Sequence, residues 1–333
     1  MARGATKELA KSRLESAVLV VAVGSALALA GGYFNDLHPA LDSLAHFRLH
    51  LGALTGACGV ALLLLRNLAA AALALVIAAA TLAGTYTPFS AKAGAGAGGP
   101  AAHYRLMQLN LRFDHHDPAR VLSTIAHEKP DVVTLDEVSI MWRGKLDPLK
   151  ASYPYRIICQ TTNPIGAVAI LSRRPFVEGR APRCADRGSF AVAPIDFGGR
   201  TAEIVAVHLG WPWPYGQTEQ VADLGRELET LGDTVLVAGD FNAAPWSATV
   251  RNVARAGGLE IARGIGPTWL HRALPDMLRR TIGLPIDQVM WKGRLDVLNA
   301  VTGPNAGSDH LPVIVDFTLR PGADGPIALA RAG

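Results

Sequence analysis

Eight polar residues of this 333-residue chain stand where apolar runs begin or end, which is where an unpaired charge is costly and a paired one can work. Asn110 closes YRLMQLNL (104–111), Glu137 closes VVTLDEV (132–138), and His208 ends AEIVAVHL (202–209). Asp240 and Asn242 stand at the exit of TVLVAGDF (234–241), Asp287 enters PIDQVMW (285–291), and Asp309 with His310 precedes LPVIVDFTL (311–319). Carboxylates, amides and imidazoles at strand ends fit a hard divalent cation held by oxygen ligands. They do not fit zinc, because no Cys/His ligand spacing is present. A lone Asp or Asn at a strand end is ordinarily a turn or capping residue, and a lone His a structural one. His115, His116 and His127 are read that way, as structural or solvent-facing.

The elements that must position these residues alternate short β-type runs with helices. DPARVLSTIAHEKP (117–130) places Val121, Leu122 and Ile125 on one helical face with Asp117 as N-cap. EQVADLGRELETLG (219–232) is a second amphipathic helix. RIICQ (156–160), AVAILSR (167–173), FAVAPIDF (190–197) and AEIVAVHL read as antiparallel strands joined by turns. Strands outnumber helices and many pair as hairpins. Two packed mixed sheets with helices outside therefore fit better than a doubly wound parallel sheet.

Upstream, the composition changes. Half of all residues are hydrophobic but only 6% are aromatic. Three charge-free runs, 17–33, 51–65 and 68–86, account for much of the excess. A membrane-spanning helix needs about 20 mostly apolar residues. The first and third reach this with a few flanking residues, and the second only by starting near Phe47. A signal peptide would suit the basic residues Arg3, Lys7, Lys11 and Arg13, yet two more apolar runs follow instead of soluble sequence. The expected organisation is a basic cytoplasmic N-terminus (1–16), a three-helix membrane anchor (17–86), a Gly/Ala-rich linker (87–102), a catalytic domain (103–320) and a tail (321–333). Lys and Arg placement puts the N-terminus in the cytoplasm, and an odd number of spans then puts the domain on the extracytoplasmic side. That side reverses if 51–65 does not insert. Cys159 and Cys184 would be free to pair in an oxidising compartment.

The polar positions also stand in motifs, and through them the chain resembles the endonuclease/exonuclease/phosphatase superfamily, including its membrane-anchored bacterial members. The motifs are QLNLR at Asn110, TLDEVS at Glu137, VHLGWPWP at His208, VAGDFNAAPWS at Asp240 and Asn242, PTW at Thr268 and Trp269, IDQVMW at Asp287, and GSDHLPV at Asp309 and His310. They follow the family's order across nearly all of 103–320, which outweighs the turn-residue reading of each one alone. The resemblance implies an α/β (α+β) fold, a four-layer αββα sandwich of two mixed β-sheets, here preceded by about three transmembrane helices. It implies Mg²⁺ or Mn²⁺ at Glu137, helped by Asn110 and Asp309. His310, oriented by Asp287, would contact phosphate or act as general acid/base, Asp240 would orient or deprotonate the attacking water, Asn242 would bond the phosphate or Asp240, and His208 would add a donor to the phosphate. Thr268 and Trp269 would face the substrate, whereas Trp211, Trp213 and Trp269 suit equally a base or sugar, a membrane interface or the core.

The implied activity is hydrolysis of a phosphodiester or phosphomonoester, with a phosphate-ester substrate and a lipid bilayer as partners and no protein partner read from the sequence. A nuclease acting outside the cytoplasm is the alternative, and charge disfavours it. Residues 87–333 carry 26 basic and 24 acidic side chains, where nucleic-acid binding calls for a basic excess. A non-catalytic binding module is the third reading, and no motif residue is missing to support it. Specificity resides in loops such as 211–218 and 264–284, which do not name a substrate.

Overall fold

A computed structural model describes residues 2–85, 102–115 and 117–321, with side chains placed from Thr6 onward. The linker apart from Ala102, the tail beyond Pro321, and His116 lie outside the described residues. The chain divides into two compact units.

The N-terminal unit is helical: α1 (Ala2–Tyr33), α2 (Pro39–Ala45), α3 (Arg48–Leu64) and α4 (Leu68–Thr85). The three charge-free runs fall in α1, α3 and α4. Within α1, Thr6–Tyr33 is long and apolar enough to cross a membrane, and so is all of α4. At 1.5 Å per residue they extend about 42 Å and about 27 Å. α3 extends only about 26 Å and meets α2 at a 64° bend. It qualifies as a third span only together with α2, so 51–65 is the marginal run in the structure as in the sequence. α2 was not anticipated; Pro39 at its start and the His38 ring, which accepts from the Ala40 N–H, define it. Where lipid is as apolar as the helix surface, helices associate through small residues. Gly52, Gly56 and Gly59 of α3 accordingly lie against Thr81, Ala78 and Leu75 of α4. Ser25 and Thr55 hydroxyls meet at 2.9 Å between α1 and α3. Val23, Leu27, Leu54, Leu63, Leu73 and Val76 face outward.

The larger unit holds β1 (His103–Asn110), β2 (Val132–Val138), β3 (Tyr155–Ile158), β4 (Ala167–Ser172), β5 (Arg183–Ala185), β6 (Phe190–Asp196), β7 (Thr201–His208), β8 (Val235–Asp240), β9 (Glu260–Ile261), β10 (Asp287–Lys292), β11 (Leu295–Thr302) and β12 (Val313–Leu319). Its helices are α5 (Pro118–Glu128), α6 (Ile140–Lys145), α7 (Gln217–Glu229), α8 (Ala248–Gly257) and α9 (Arg279–Ile282). Two six-stranded sheets form, ordered β11-β12-β1-β2-β4-β3 and β5-β6-β7-β8-β10-β9. Both are mixed, since β1 runs parallel to β2 and β7 to β8 while the remaining pairs are antiparallel.

Strand alternation builds the layers. Leu236 and Ala238 of β8 enter the core between the sheets, with Leu106, Val168 and Ile204. Val235 and Val237 point the other way, against Val221, Leu224 and Leu228 of α7 and Val253 of α8. On the far side Val133 and Leu135 pack on Val121 and Ile125 of α5 and on Trp142 of α6. This is the four-layer sandwich expected from the sequence. Asp117 caps α5 by accepting from the Ala119 N–H. Cys159 follows β3 and Cys184 lies in β5, and their disulfide ties an edge strand of one sheet to an edge strand of the other. Strand β11 was not read from the sequence, because Asp296 and Asn299 and a register shift between Val297 and Asn299 blur its alternation. β5 and β9 are too short to show a period.

Candidate active site

All eight polar residues belong to the larger unit, and most of them are tied to one another by side-chain hydrogen bonds. β8 delivers Asp240 through the sequence Ala-Gly-Asp. Gly239 is required there because a Cβ would come within 1.8 Å of the Val207 carbonyl oxygen on β7. Asp240 Oδ1 accepts the Asn242 N–H at 2.8 Å, a turn that holds Asn242 at φ 47°. The Asn242 amide donates to the Leu209 carbonyl, so its backbone holds Asp240 while its side chain anchors the turn to the end of β7.

Asp240 Oδ2 accepts from the Asn110 amide at 2.9 Å, and that amide also reaches Glu137 Oε1 at 3.0 Å. In a regular strand Asp136 and Glu137 would point to opposite faces. A φ of 57° at Glu137 and a register shift between Leu135 and Val138 break that alternation. The Glu137 carboxylate consequently turns to the strand end, where it also accepts the Phe113 N–H at 2.7 Å. His208 Nε2 stands 3.8 Å from Asp240 Oδ2 and 3.9 Å from Glu137 Oε1.

Asp287 opens β10 opposite Asp240 in the ladder. Its Oδ2 lies 2.8 Å from His310 Nδ1, and His310 Nε2 lies 3.6 Å from Asp240 Oδ2. The imidazole thus sits between two carboxylates. Ser308 holds the adjoining segment: its hydroxyl donates to the Asn110 carbonyl at 2.7 Å and accepts the His310 N–H.

Burial would push the His310 pKa down, but Asp287 and Asp240 outweigh it and raise the ring to about 10, so it is an imidazolium at neutral pH. Burial pushes Asp240 up to about 6, with His310 working against that rise. Glu137 is raised by burial and pulled back by its bonds from Asn110 and Phe113. Burial lowers His208, which Asp240 partly offsets.

Among the described residues, the group whose ligand atoms all lie within 4.8 Å of one another is Asp240, Asp287 and His310. A protonated histidine is no ligand, and its Nδ1 is already taken by Asp287. Glu137 and Asp309 are different, being only partly buried. Asp309 Oδ1 lies 3.3 Å from the Ser308 hydroxyl, and the carboxylate is near enough to push the Glu137 carboxyl upward. Two partly open carboxylates are oxygen ligands suited to a hard divalent cation, whereas the Asn110 amide turns its N–H hydrogens to Glu137 and Asp240 and its oxygen to the Arg112 N–H.

Thr268 does not face a substrate space: it is fully buried, accepting the Asp287 N–H and donating to the Leu284 carbonyl. Trp269 is partly exposed and pairs through its backbone with Leu284 and His310. Its ring meets the half-exposed Trp211 edge-on at 6.0 Å. Trp213 is exposed. His115 is buried and stacked on Trp142, and His127 is exposed. Gln108, Asp136 and Ser308 were missed, although a lone Gln in YRLMQLNL and the Asp of LDEV are polar residues inside apolar strands and carry that signal. In the basic tract 173–187, Arg174, Arg180 and Arg183 pair with Asp131, Glu203 and Glu227.

This fold and site define a phosphoesterase-type sandwich, and the chain belongs to the endonuclease/exonuclease/phosphatase family, whose sequence profile matches residues 107–310. Solved structures share the fold. A protein of that family from Beutenbergia cavernae is 22% identical, with a TM-score of 0.52 over 65% of this chain and 72% of that one. Another from Bacteroides vulgatus is 17% identical, with a TM-score of 0.53 over 66% of this chain and 100% of that one. D. rerio TDP2 complexed with a single-strand DNA product is 18% identical, with a TM-score of 0.52 over 65% of this chain and 99% of that one. No curated protein matches the chain.

Proposed function

We propose that the chain is a membrane-anchored, divalent-metal-dependent phosphoesterase that hydrolyses a phosphate ester by direct attack of water. The observation that carries this reading is the Asp287–His310–Asp240 alignment, 2.8 Å and 3.6 Å, linked through Asn110 to the partly open carboxylate of Glu137. Mg²⁺ or Mn²⁺ held by Glu137 and Asp309, with Asn110 steadying Glu137, would neutralise charge on the phosphoryl oxygens. Asp240 takes a proton from the attacking water as the water oxygen bonds to phosphorus and the ester P–O bond breaks. The leaving oxygen takes its proton from solvent. The His310 imidazolium presents its Nε2–H to a phosphoryl oxygen, and Asp287 fixes its tautomer and orientation. His208, held uncharged by burial, adds a neutral donor. Asn242 keeps Asp240 aimed.

The helices α1 and α4, with α2 and α3 as a broken third span, form the anchor in this reading. Three spans with a cytoplasmic N-terminus place the active site outside the cytoplasm, and the Cys159–Cys184 disulfide supports an oxidising compartment. A tethered enzyme acts on substrates at the membrane, and a lipid headgroup ester is the substrate class favoured. The near-balanced charge of the domain and its ion-paired arginines weigh against nucleic acid. The test is hydrolysis by the full chain in detergent, comparing phospholipid, sphingomyelin, plasmid and RNA with Mg²⁺ and with a chelator. Hydrolysis of none of them, or hydrolysis that survives chelation, overturns the reading. Protease accessibility in intact cells tests the side.

A further inference from the structure

Behind the residues that face the reacting groups lies a second set of polar side chains in the space between the sheets. Gln108 and Asp136 are fully buried and point inward from neighbouring strands β1 and β2. Such groups are expensive inside an apolar core unless their bonds matter. The Gln108 amide spends both hydrogens on carboxylates, donating to Asp287 Oδ1 at 2.9 Å and to Asp136 Oδ2 at 3.0 Å. Asp136 Oδ2 also accepts the backbone N–H of Asp240 at 2.8 Å. A continuous chain therefore runs from the Asp240 backbone to Asp136, to Gln108, to Asp287 and to His310. It crosses from β8 to β2 and β1 and back to β10, so it joins one sheet to the other at the site.

Resting on the phosphoesterase reading, the geometry points to Gln108 and Asp136 as positioning residues for catalysis, acting through Asp287 and Asp240. Asp287 has two oxygens. His310 occupies Oδ2, and Gln108 is the side chain that fixes Oδ1. Without Gln108 the carboxylate rotates about its Cβ–Cγ bond and the imidazole loses its alignment with Asp240. Asp136 accepts both bonds through one oxygen, Oδ2, so its role rests on its shape and that oxygen and not on its charge.

Five variants of the full chain in detergent, including Asp287→Asn alone, test this, assayed on bis(p-nitrophenyl) phosphate with Mg²⁺ and checked for cooperative melting. Gln108→Leu lowers kcat about 10- to 100-fold with KM within about twofold, the scale of a small misplacement. Adding Gln108→Leu to Asp287→Asn lowers kcat by less than about threefold more, because both act on one bond. Asp136→Asn, which keeps the accepting oxygen, stays within about threefold of wild type, whereas Asp136→Leu falls as Gln108→Leu does. Multiplicative losses in the double variant, or equal losses in the two Asp136 variants, overturn the proposal. A readout independent of turnover separates this from failure of the phosphoesterase reading. The His310 Nδ1–H resonance in ¹⁵N-histidine-labelled protein shifts or broadens in Gln108→Leu. If it is unmoved the positioning role is wrong, whether or not wild type hydrolyses the ester.

Discussion

Replacing Asp287 by Asn is the most informative single change, because it alters one oxygen of a buried ion pair and almost no volume. His310 stands at about 10 against an ordinary 6.5, after burial has pulled the other way. A shift of that size corresponds to about 5 kcal/mol favouring the imidazolium, at about 1.4 kcal/mol per pH unit. Asp287 supplies the larger of the two carboxylate attractions and the 2.8 Å bond as well. Its loss takes away the largest attraction that raises the ring, so the ring pKa falls. The variant ring then loses its proton at a lower pH than the wild-type ring. The rate falls by about 10²- to 10⁴-fold, and the basic limb of the pH–rate profile moves down from about 10. Because the folded-state pKa is raised, the pair's contribution to stability is complete below about 6.5 and fades as pH rises through about 10. Asp287→Asn should therefore lower the melting temperature clearly at pH 6 and little at pH 10.5. The assay is a pH–rate profile paired with thermal melts at those two values. A variant that keeps the wild-type basic limb and a rate within about threefold would falsify the assignment of Asp287 as the partner that charges and orients His310.

Other outcomes follow from the same geometry. Asp240, raised to about 6 by burial, must be ionised to take a proton, so the wild-type rate drops tenfold per unit below pH 6; a flat profile down to pH 4.5 removes it as the base. Gly239→Ala places a methyl 1.8 Å from the Val207 carbonyl and should cost about 3 kcal/mol or more, read by denaturant unfolding, with β7 and β8 forced apart. Replacing Cys159 and Cys184 by Ser opens a 25-residue loop and should lower stability by about 3–4 kcal/mol while leaving kcat of the folded protein nearly unchanged. A wild-type melting temperature in that variant would mean that the bridge does not hold the two edge strands.

Much of the site was legible because its residues sit at strand ends, where apolar runs break abruptly. Asn110, Asp240 and Asp287 end or open a strand, Glu137 stands one residue before the end of one and His310 three residues before another, and those breaks in apolar sequence are visible without coordinates. The αββα layering was legible for the same reason, since Leu236 and Ala238 alternate with Val235 and Val237 in the composition of a two-faced strand. What the linear order does not carry is which polar residue meets which. The bend at Glu137 depends on a left-handed φ that a Glu gives no local sign of adopting. The PTW motif implies a substrate contact at Thr268, yet its hydroxyl turns inward to the Asp287 backbone. Gln108 and Asp136 take on meaning only when the two sheets close and bring β1 and β2 against β8 and β10. In the N-terminal unit the doubtful run at 51–65 stayed doubtful for a physical reason, namely that a 17-residue helix is short for a bilayer and bends sharply into its neighbour.

The central claim, that Asp240 and its surroundings make this chain a metal-dependent phosphoesterase, is tested most directly by one paired measurement. Wild type and Asp240→Asn, each as the full chain in detergent, are assayed on bis(p-nitrophenyl) phosphate with Mg²⁺ and again with excess chelator. Wild type should hydrolyse the ester, stop with chelator, and outpace the variant by at least about 10²-fold. Hydrolysis that ignores the chelator, or that survives intact in Asp240→Asn, would contradict the claim.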